Sequence, residues 1–267
     1  MRRVHIIILV ALIISALMLG AVMLTGFLEK DDTLPEIRCP DEPLRISVNG
    51  GVDGLLADVS AWDGKDGDIT DRLLVQQVER YGEDGELQVI YAVSDSDRHV
   101  VTRRRTVVYT DYVPPRFELT QELRYPEGST IRIRDRLSAQ DVLDGNIGDR
   151  IKLTAGNVSS YYEGSYPLTV EVTNSLGDTS SLQLELEIRG YAAGEPRITL
   201  KQYIVYLEDG LTLKPESYIL EVTGAKRSQV RVELPDGGLK DGVNRVTYTC
   251  KGESGVFGKA TLYVVLG

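Results

Sequence analysis

The chain has 267 residues, 42% hydrophobic and 26% charged, a balance that excludes wholesale disorder and suits one to three domains. Its formal charge is -10, and every acid lies after Leu28, so that Arg2 and Arg3 aside the remainder sets 28 basic against 40 acidic residues, a charge of -12. So acidic a surface repels phosphate backbones and excludes nucleic acid as a partner, while two cysteines without Cys-x-x-Cys spacing give no support to a zinc site.

The run from Val4 to Leu28 is 25 residues long, and only His5, Ser15 and Thr25 in it are polar. A bilayer needs roughly 20 such residues in a helix, so residues 1–30 are predicted to be a cytoplasmic tail and transmembrane signal-anchor helix. The lipid bilayer is the partner of residues 4–28. Arg2 and Arg3 stand before the run and Glu29, Lys30, Asp31 and Asp32 after it, which places the amino end in the cytoplasm and the remainder outside. A cleaved signal peptide is the alternative, but its apolar region runs about 7 to 15 residues and ends at a small-x-small site. This run is longer and has no clean site.

The exported part repeats. Ser60 to Leu73 aligns with Ser138 to Ile151 at a constant offset of 78, with eight identities in fourteen positions, Asp63, Asp66 and Asp71 among them. The match continues from Gly85-Glu86-Leu87 to Gly164-Ser165-Tyr166 with apolar and polar residues alternating, the period of a half-buried strand. Pro196-Arg197-Ile198 follows Pro115-Arg116-Phe117 at an offset of 81 and opens a fainter third copy. The boundaries fall at the proline-stiffened Asp111-Tyr112-Val113-Pro114-Pro115 and at the looser Gly190 to Pro196. The expected domains are 31–112, 113–190 and a divergent 191–267. Many short strands between Gly, Asn, Asp and Pro signals indicate all-β sandwiches, and no segment after Leu28 shows a helical period.

Asp66-Gly67-Asp68-Ile69-Thr70, Tyr91-Ala92-Val93-Ser94-Asp95 and the exit Val107 to Pro115 resemble the immunoglobulin-like domains repeated in bacterial surface and adhesin-like proteins. The resemblance covers about residues 34 to 189, and the third copy only by its ends. It implies tandem immunoglobulin-like β-sandwiches used for display, with no catalysis.

Asp63, Asp66, Asp68 and Asp71, with Asp141, Asp144, Asn146 and Asp149 in the second copy, are the one recurrent concentration of oxygen ligands. Calcium takes six to eight oxygens, which makes this cluster the candidate metal site. The spacing is not that of a calcium loop, however, and Arg72 or Arg150 stands beside each cluster. Turns capped by their own aspartates are the competing reading; otherwise no cofactor is expected. Trp62 reads as a core residue, since its area is best buried. His99 reads as a solvated turn residue without a nucleophile. Arg103-Arg104-Arg105 reads as the charged face of an edge strand or a contact for anionic polymer or lipid. Cys39 aligns with Leu119 and Leu200, and Cys250 with Val93 and Val172, so both are expected to be buried free thiols.

These readings converge on a single-pass protein of the cell membrane, not an enzyme, whose extracellular domains serve adhesion or act as a spacer. Its protein or glycan ligand is unspecified by sequence. The alternative is an envelope-assembly partner that binds other membrane or wall proteins through its β-domains.

Overall fold

The computed structural model describes residues 2–28, 33–82, 86–155, 158–208 and 211–267. Helix α1 (Arg2–Leu28) opens the chain, and nearly everything after it is strand or turn. Two compact units result, residues 1–110 and 111–267. Among the described residues no helix is both long and apolar enough to cross a membrane. Within α1 the side chains described without a break are those of residues 8–24, so the expected span of 4–28 lies partly outside the described side chains.

In the first unit, β1 (Glu36–Arg38), β3 (Ser60–Asp63) and β4 (Gly67–Asp68) form one sheet, ordered β1-β3-β4. Strands β2 (Leu44–Ile46), β5 (Leu74–Arg80), β6 (Glu86–Ser94) and β7 (Val100–Tyr109) form the other, ordered β2-β7-β6-β5. The sequence alternates, so each strand sends one face inward: Ile37 and Ala61 from the first sheet, Leu87, Val89, Tyr91, Val93 and Val107 from the second. Contrary to expectation, a short helix α2 (Gly51–Leu55) follows β2. Its Leu55 is buried, and the Leu55 carbonyl accepts the Tyr91 hydroxyl at 2.7 Å. Five residues are too few to write a helical period.

The second unit repeats this frame. Strands β8 (Arg116–Leu119), β10 (Leu137–Asp141) and β11 (Gly145–Asn146) match β1, β3 and β4, in the order β11-β10-β8. Strands β9 (Arg124–Tyr125), β12 (Lys152–Ala155), β13 (Gly164–Thr173) and β14 (Thr179–Ile188) match β2, β5, β6 and β7. A third set then follows: β15 (Arg197–Leu200), β16 (Ile204–Leu207), β17 (Ile219–Thr223), β18 (Arg231–Glu233), β19 (Gly242–Lys251) and β20 (Phe257–Leu266). In every set the second strand runs parallel to the last: β2 to β7, β9 to β14, β16 to β20. Among the described residues the third set has no counterpart of β4 or β11, consistent with its loss of the acidic turn, yet it keeps a one-turn helix at Arg227–Gln229 where the others have Thr70–Arg72 and Gly148–Arg150.

Within the second unit one continuous core joins the second and third sets, running from Phe117 through Leu184 to Tyr203, Tyr248 and Val264. Three tyrosines of the third set secure the contact. Tyr206 Oη accepts the Phe117 amide at 2.8 Å and Tyr263 Oη accepts the Glu185 amide at 2.8 Å. The Tyr203 amide donates to the Leu119 carbonyl at 3.0 Å. Backbone groups that would lie open at the end of one sandwich are thereby satisfied by the next.

Candidate functional site

The recurrent acidic turn is a tie between two loops of one sandwich. Asp63 ends β3 with its side chain inward, 2% exposed, and its Oδ1 accepts the amides of Lys65 and Asp66 at 2.9 Å each. This side-chain turn, closed by Gly67 in the left-handed region at φ 76°, brings β4 back onto β3. Asp66 then reaches across to the β6–β7 turn. It accepts the Ser96 amide and hydroxyl at 2.7 Å each and the Arg72 guanidinium at 2.7 Å. The Ser96 hydroxyl, followed by Arg72, holds the Asp66 carboxyl below the usual carboxylate range. Asp68 accepts the Thr70 amide at 3.0 Å, and the Thr70 hydroxyl, with that amide, likewise lowers its carboxyl. Asp71 sits in the first turn of the following one-turn helix.

The second copy builds the same object. Asp141 Oδ1 accepts the amides of Leu143 and Asp144 at 2.9 and 3.0 Å. Asp144 accepts the Ser175 amide and hydroxyl at 2.7 Å each, and also pairs with Arg150. Burial opposes the charge on Asp144, but Ser175 and Arg150 outweigh it and keep its carboxyl low. Asn146 takes the place of Asp68 and accepts the Gly148 amide at 2.9 Å. The capping reading thus describes what these aspartates do in both copies. Among the described residues no three His, Cys, Asp or Glu side chains are placed to hold a metal ion.

One position separates the two turns. In the second copy Asn174 Oδ1 accepts the amides of Leu176 and Asp178 at 3.0 Å each, and its Nδ2 donates to Asp141 Oδ2 at 3.1 Å and to Tyr112 Oη at 2.9 Å. Tyr112 in turn bonds Asp178, and burial, with that carboxylate, pushes the Tyr112 phenol up. In the first copy Asp95 occupies the Asn174 position and His99 that of Asp178. Asp95 Oδ1 accepts the His99 amide at 2.7 Å and Asp95 Oδ2 lies 2.6 Å from His99 Nδ1. Asp63 Oδ2, the counterpart of the oxygen that Asn174 serves, is buried without a hydrogen-bond partner.

Other expectations need correction. Trp62 is 50% exposed, because it lies on the outward face of β3 between the inward Ala61 and Asp63. His99 is half-buried against Asp95 and not solvated. Arg105 is buried and donates to the carbonyls of Glu42 and Ala57 at 3.3 and 3.1 Å. Arg103, on the same face, reaches the carbonyls of Ile37 and Cys39 and the carboxylate of Asp41. Both arginines therefore fill the open flank of the sandwich, and only Arg104 of the three is exposed. Cys250 is buried, but Cys39 is half-buried because β1 stops at Arg38; both are free thiols.

Sequence reasoning also missed a buried ionic joint at 190–196. Arg124, 3% exposed in its side chain, donates to Glu195 at 2.8 and 3.2 Å and to the carbonyls of Arg189 and Gly190 at 3.1 and 2.7 Å. Burial opposes the charge on Glu195, yet Arg124, the Ala192 amide and Arg189 hold its carboxyl low. The Tyr191 ring lies against Arg124 at 3.9 Å and Arg197 at 4.0 Å, and its hydroxyl bonds Glu122. Burial pushes the Glu122 carboxyl up despite that bond. An isolated Arg in β9 and an isolated Glu before Pro196 give no signal of each other in sequence. An open cleft of about 80 Å³ adjoins this joint, lined by Glu122, Glu185, Glu187, Tyr203, Lys259 and Tyr263 among others.

No family model matches the chain, and no curated protein matches it. Among solved structures, CBM51-2 in complex with GlcNAc and INT domains from Clostridium perfringens ZmpB is similar at 19% identity and a TM-score of 0.24, over 55% of this chain and 26% of that one. The chain thus spans about a quarter of that structure's length. Drosophila N-cadherin EC1-3 overlaps at 10% identity and a TM-score of 0.31, over 89% of this chain and 90% of that one. Mouse Cadherin-23 EC22-24 does so at 15% identity and a TM-score of 0.19, over 88% and 99%. Overlaps this weak assign neither function nor ligand.

Proposed function

We propose that this chain is a non-catalytic, membrane-anchored surface protein that holds immunoglobulin-like sandwiches outside the cell for adhesion or as a spacer. The observation that carries the reading is the outer surface of α1. Ile8, Leu9, Leu12, Ile14, Leu17 and Val22 are each at least half exposed, and at 100° per residue they fall on every side of the helix. A helix apolar all round needs an apolar surrounding, and the sequence run 4–28, only part of which the structure describes, has the roughly 20 residues that a bilayer requires. Arg2 and Arg3 orient it with the amino end inside.

The envelope-assembly alternative would dock a partner on an open sheet edge. Edge strand β5 shifts register between Val75 and Gln77 and closes on Glu79 and Arg80, features that discourage edge pairing. Display is therefore the stronger reading. The test is membrane fractionation of the full chain followed by protease treatment of intact cells. We expect the chain to resist alkaline extraction and its β-region to be cut from outside. Replacing Leu12 and Ile13 by arginine should release it, since each costs roughly 2.5–3.5 kcal/mol at mid-membrane. Extraction of the unaltered chain by alkali would refute the anchor.

A further inference from the structure

Among the described residues, the first acidic turn contains a buried carboxylate oxygen that meets no donor. Asp63 and Asp141 are superposable by their Oδ1 atoms, each of which accepts the same two backbone amides. Asp95 and Asn174 are superposable by their Oδ1 atoms, which accept the equivalent amides of His99 and Asp178. The remaining atoms must then correspond. Where Asn174 Nδ2 donates to Asp141 Oδ2 at 3.1 Å, the corresponding atom of the first copy is Asp95 Oδ2. An oxygen thus stands where the second copy has an amide nitrogen, and an ionised carboxylate only accepts. His99 Nδ1 covers Asp95 Oδ2 from its own turn but leaves Asp63 Oδ2 unpartnered, on a residue 2% exposed. The cations nearest in sequence are engaged elsewhere, Lys65 with Asp97 at 2.8 Å and Arg72 with Asp66. Burying such an oxygen without a counter-charge is costly.

We propose that Asp63 and Asp95 form a calcium site present in the first copy alone. The donors are hard oxygens, which select a hard cation, and calcium tolerates an irregular shell completed by water. Calcium affinity rises with the number of charged ligands, and two carboxylates place this site in the weak class of about 10⁻⁴–10⁻³ M. The second copy has no such site, because the Asn174 amide already fills the position. Asp66 and Asp68 are not ligands; their carboxylates are engaged by Ser96, Arg72 and Thr70.

The experiment is thermal unfolding of the full chain in detergent, with chelator or with added calcium, magnesium or sodium at matched ionic strength. Calcium at ten times its dissociation constant should raise the folded-to-unfolded ratio roughly tenfold, a rise on the order of 5 °C for a domain of this size. Asp95→Asn restores the second copy's amide and should be more stable in chelator and unresponsive to calcium. Asp63→Asn, which keeps the Oδ1 acceptor, provides the same readout should Asp95→Asn fold poorly, and Asp68→Asn should respond as the unaltered chain does. A wild-type chain indifferent to calcium, an equal response to magnesium or sodium, or a calcium response surviving both Asp63→Asn and Asp95→Asn would each overturn the site.

Discussion

The first and second sandwiches share a strand order, a parallel closing pair and an acidic turn, and they differ in what meets the aspartate that begins that turn. The second is tied at both ends. At one, Tyr112, Asn174 and Asp178 enclose Asp141; at the other, Arg124 clamps Glu195 and the tyrosines of the third set cap the amides of Phe117 and Glu185. The first has Asp95 where an amide would serve Asp63, and an arginine in a left-handed turn. Hydrophobic alternation builds either sandwich, so the frame is set by apolar pattern and the local ties by polar partners.

The largest effect is expected where the second sandwich is most completely tied. Arg124→Met removes the cation from a pair in which Glu195 has a side chain only 1% exposed. An uncompensated buried carboxylate costs about 3–5 kcal/mol; Arg189, at 3.0 Å, and the Ala192 amide still serve Glu195, so urea unfolding should show a loss at the lower end of that range, confined to the second unit. Glu195→Gln together with Arg124→Met should recover much of it, because replacing both partners of a buried pair is far cheaper than replacing one. A loss below about 1 kcal/mol in the single variant would show that the clamp is not a stabilising element.

The acidic turns provide a matched comparison. Asp141→Ala deletes an acceptor of three hydrogen bonds, two from backbone amides and one from Asn174. Asp63→Ala deletes only the two amide bonds. With chelator present, the first change should cost about 1 kcal/mol more than the second, the worth of one buried hydrogen bond. Equal losses measured by denaturant titration would mean that Asn174 contributes nothing and that the two turns are energetically alike.

Much of this was legible in the sequence, because strand alternation and left-handed glycines act locally. The 78-residue offset and the thinning of the third copy reappear as matched strands and a missing β4 counterpart. What escaped reading depends on partners far apart in the chain. Gly190 to Pro196 looks loose by its small residues, yet Arg124, more than sixty positions earlier, holds it. Arg103 and Arg105 look solvated by type, yet their guanidinium groups serve carbonyls that the β1–β2 and α2–β3 connections leave open. Trp62 looks buried by size, but its strand parity points it outward. The Asp95-for-Asn174 exchange was visible in alignment, whereas its consequence for Asp63 required knowing that the two turns meet.

The smallest effect concerns the backbone of that same β6–β7 turn. Arg98 lies at φ 73°, in the left-handed region, where the second copy has Gly177 at φ 88°. The two residues do the same work: the Arg98 amide donates to the Asp95 carbonyl at 3.4 Å and the Gly177 amide to the Asn174 carbonyl at 3.1 Å. A side chain at positive φ costs about 1–2 kcal/mol, while glycine costs about 0.5–1 kcal/mol in chain entropy. Arg98 is exposed, so its replacement removes no buried contact. Arg98→Gly should therefore stabilise the first unit by about 0.5 kcal/mol, and Gly177→Arg should destabilise the second unit by a comparable amount. Paired denaturation curves resolve the opposite signs even where each shift is small, and two shifts of the same sign would show that the turns are not equivalent after all.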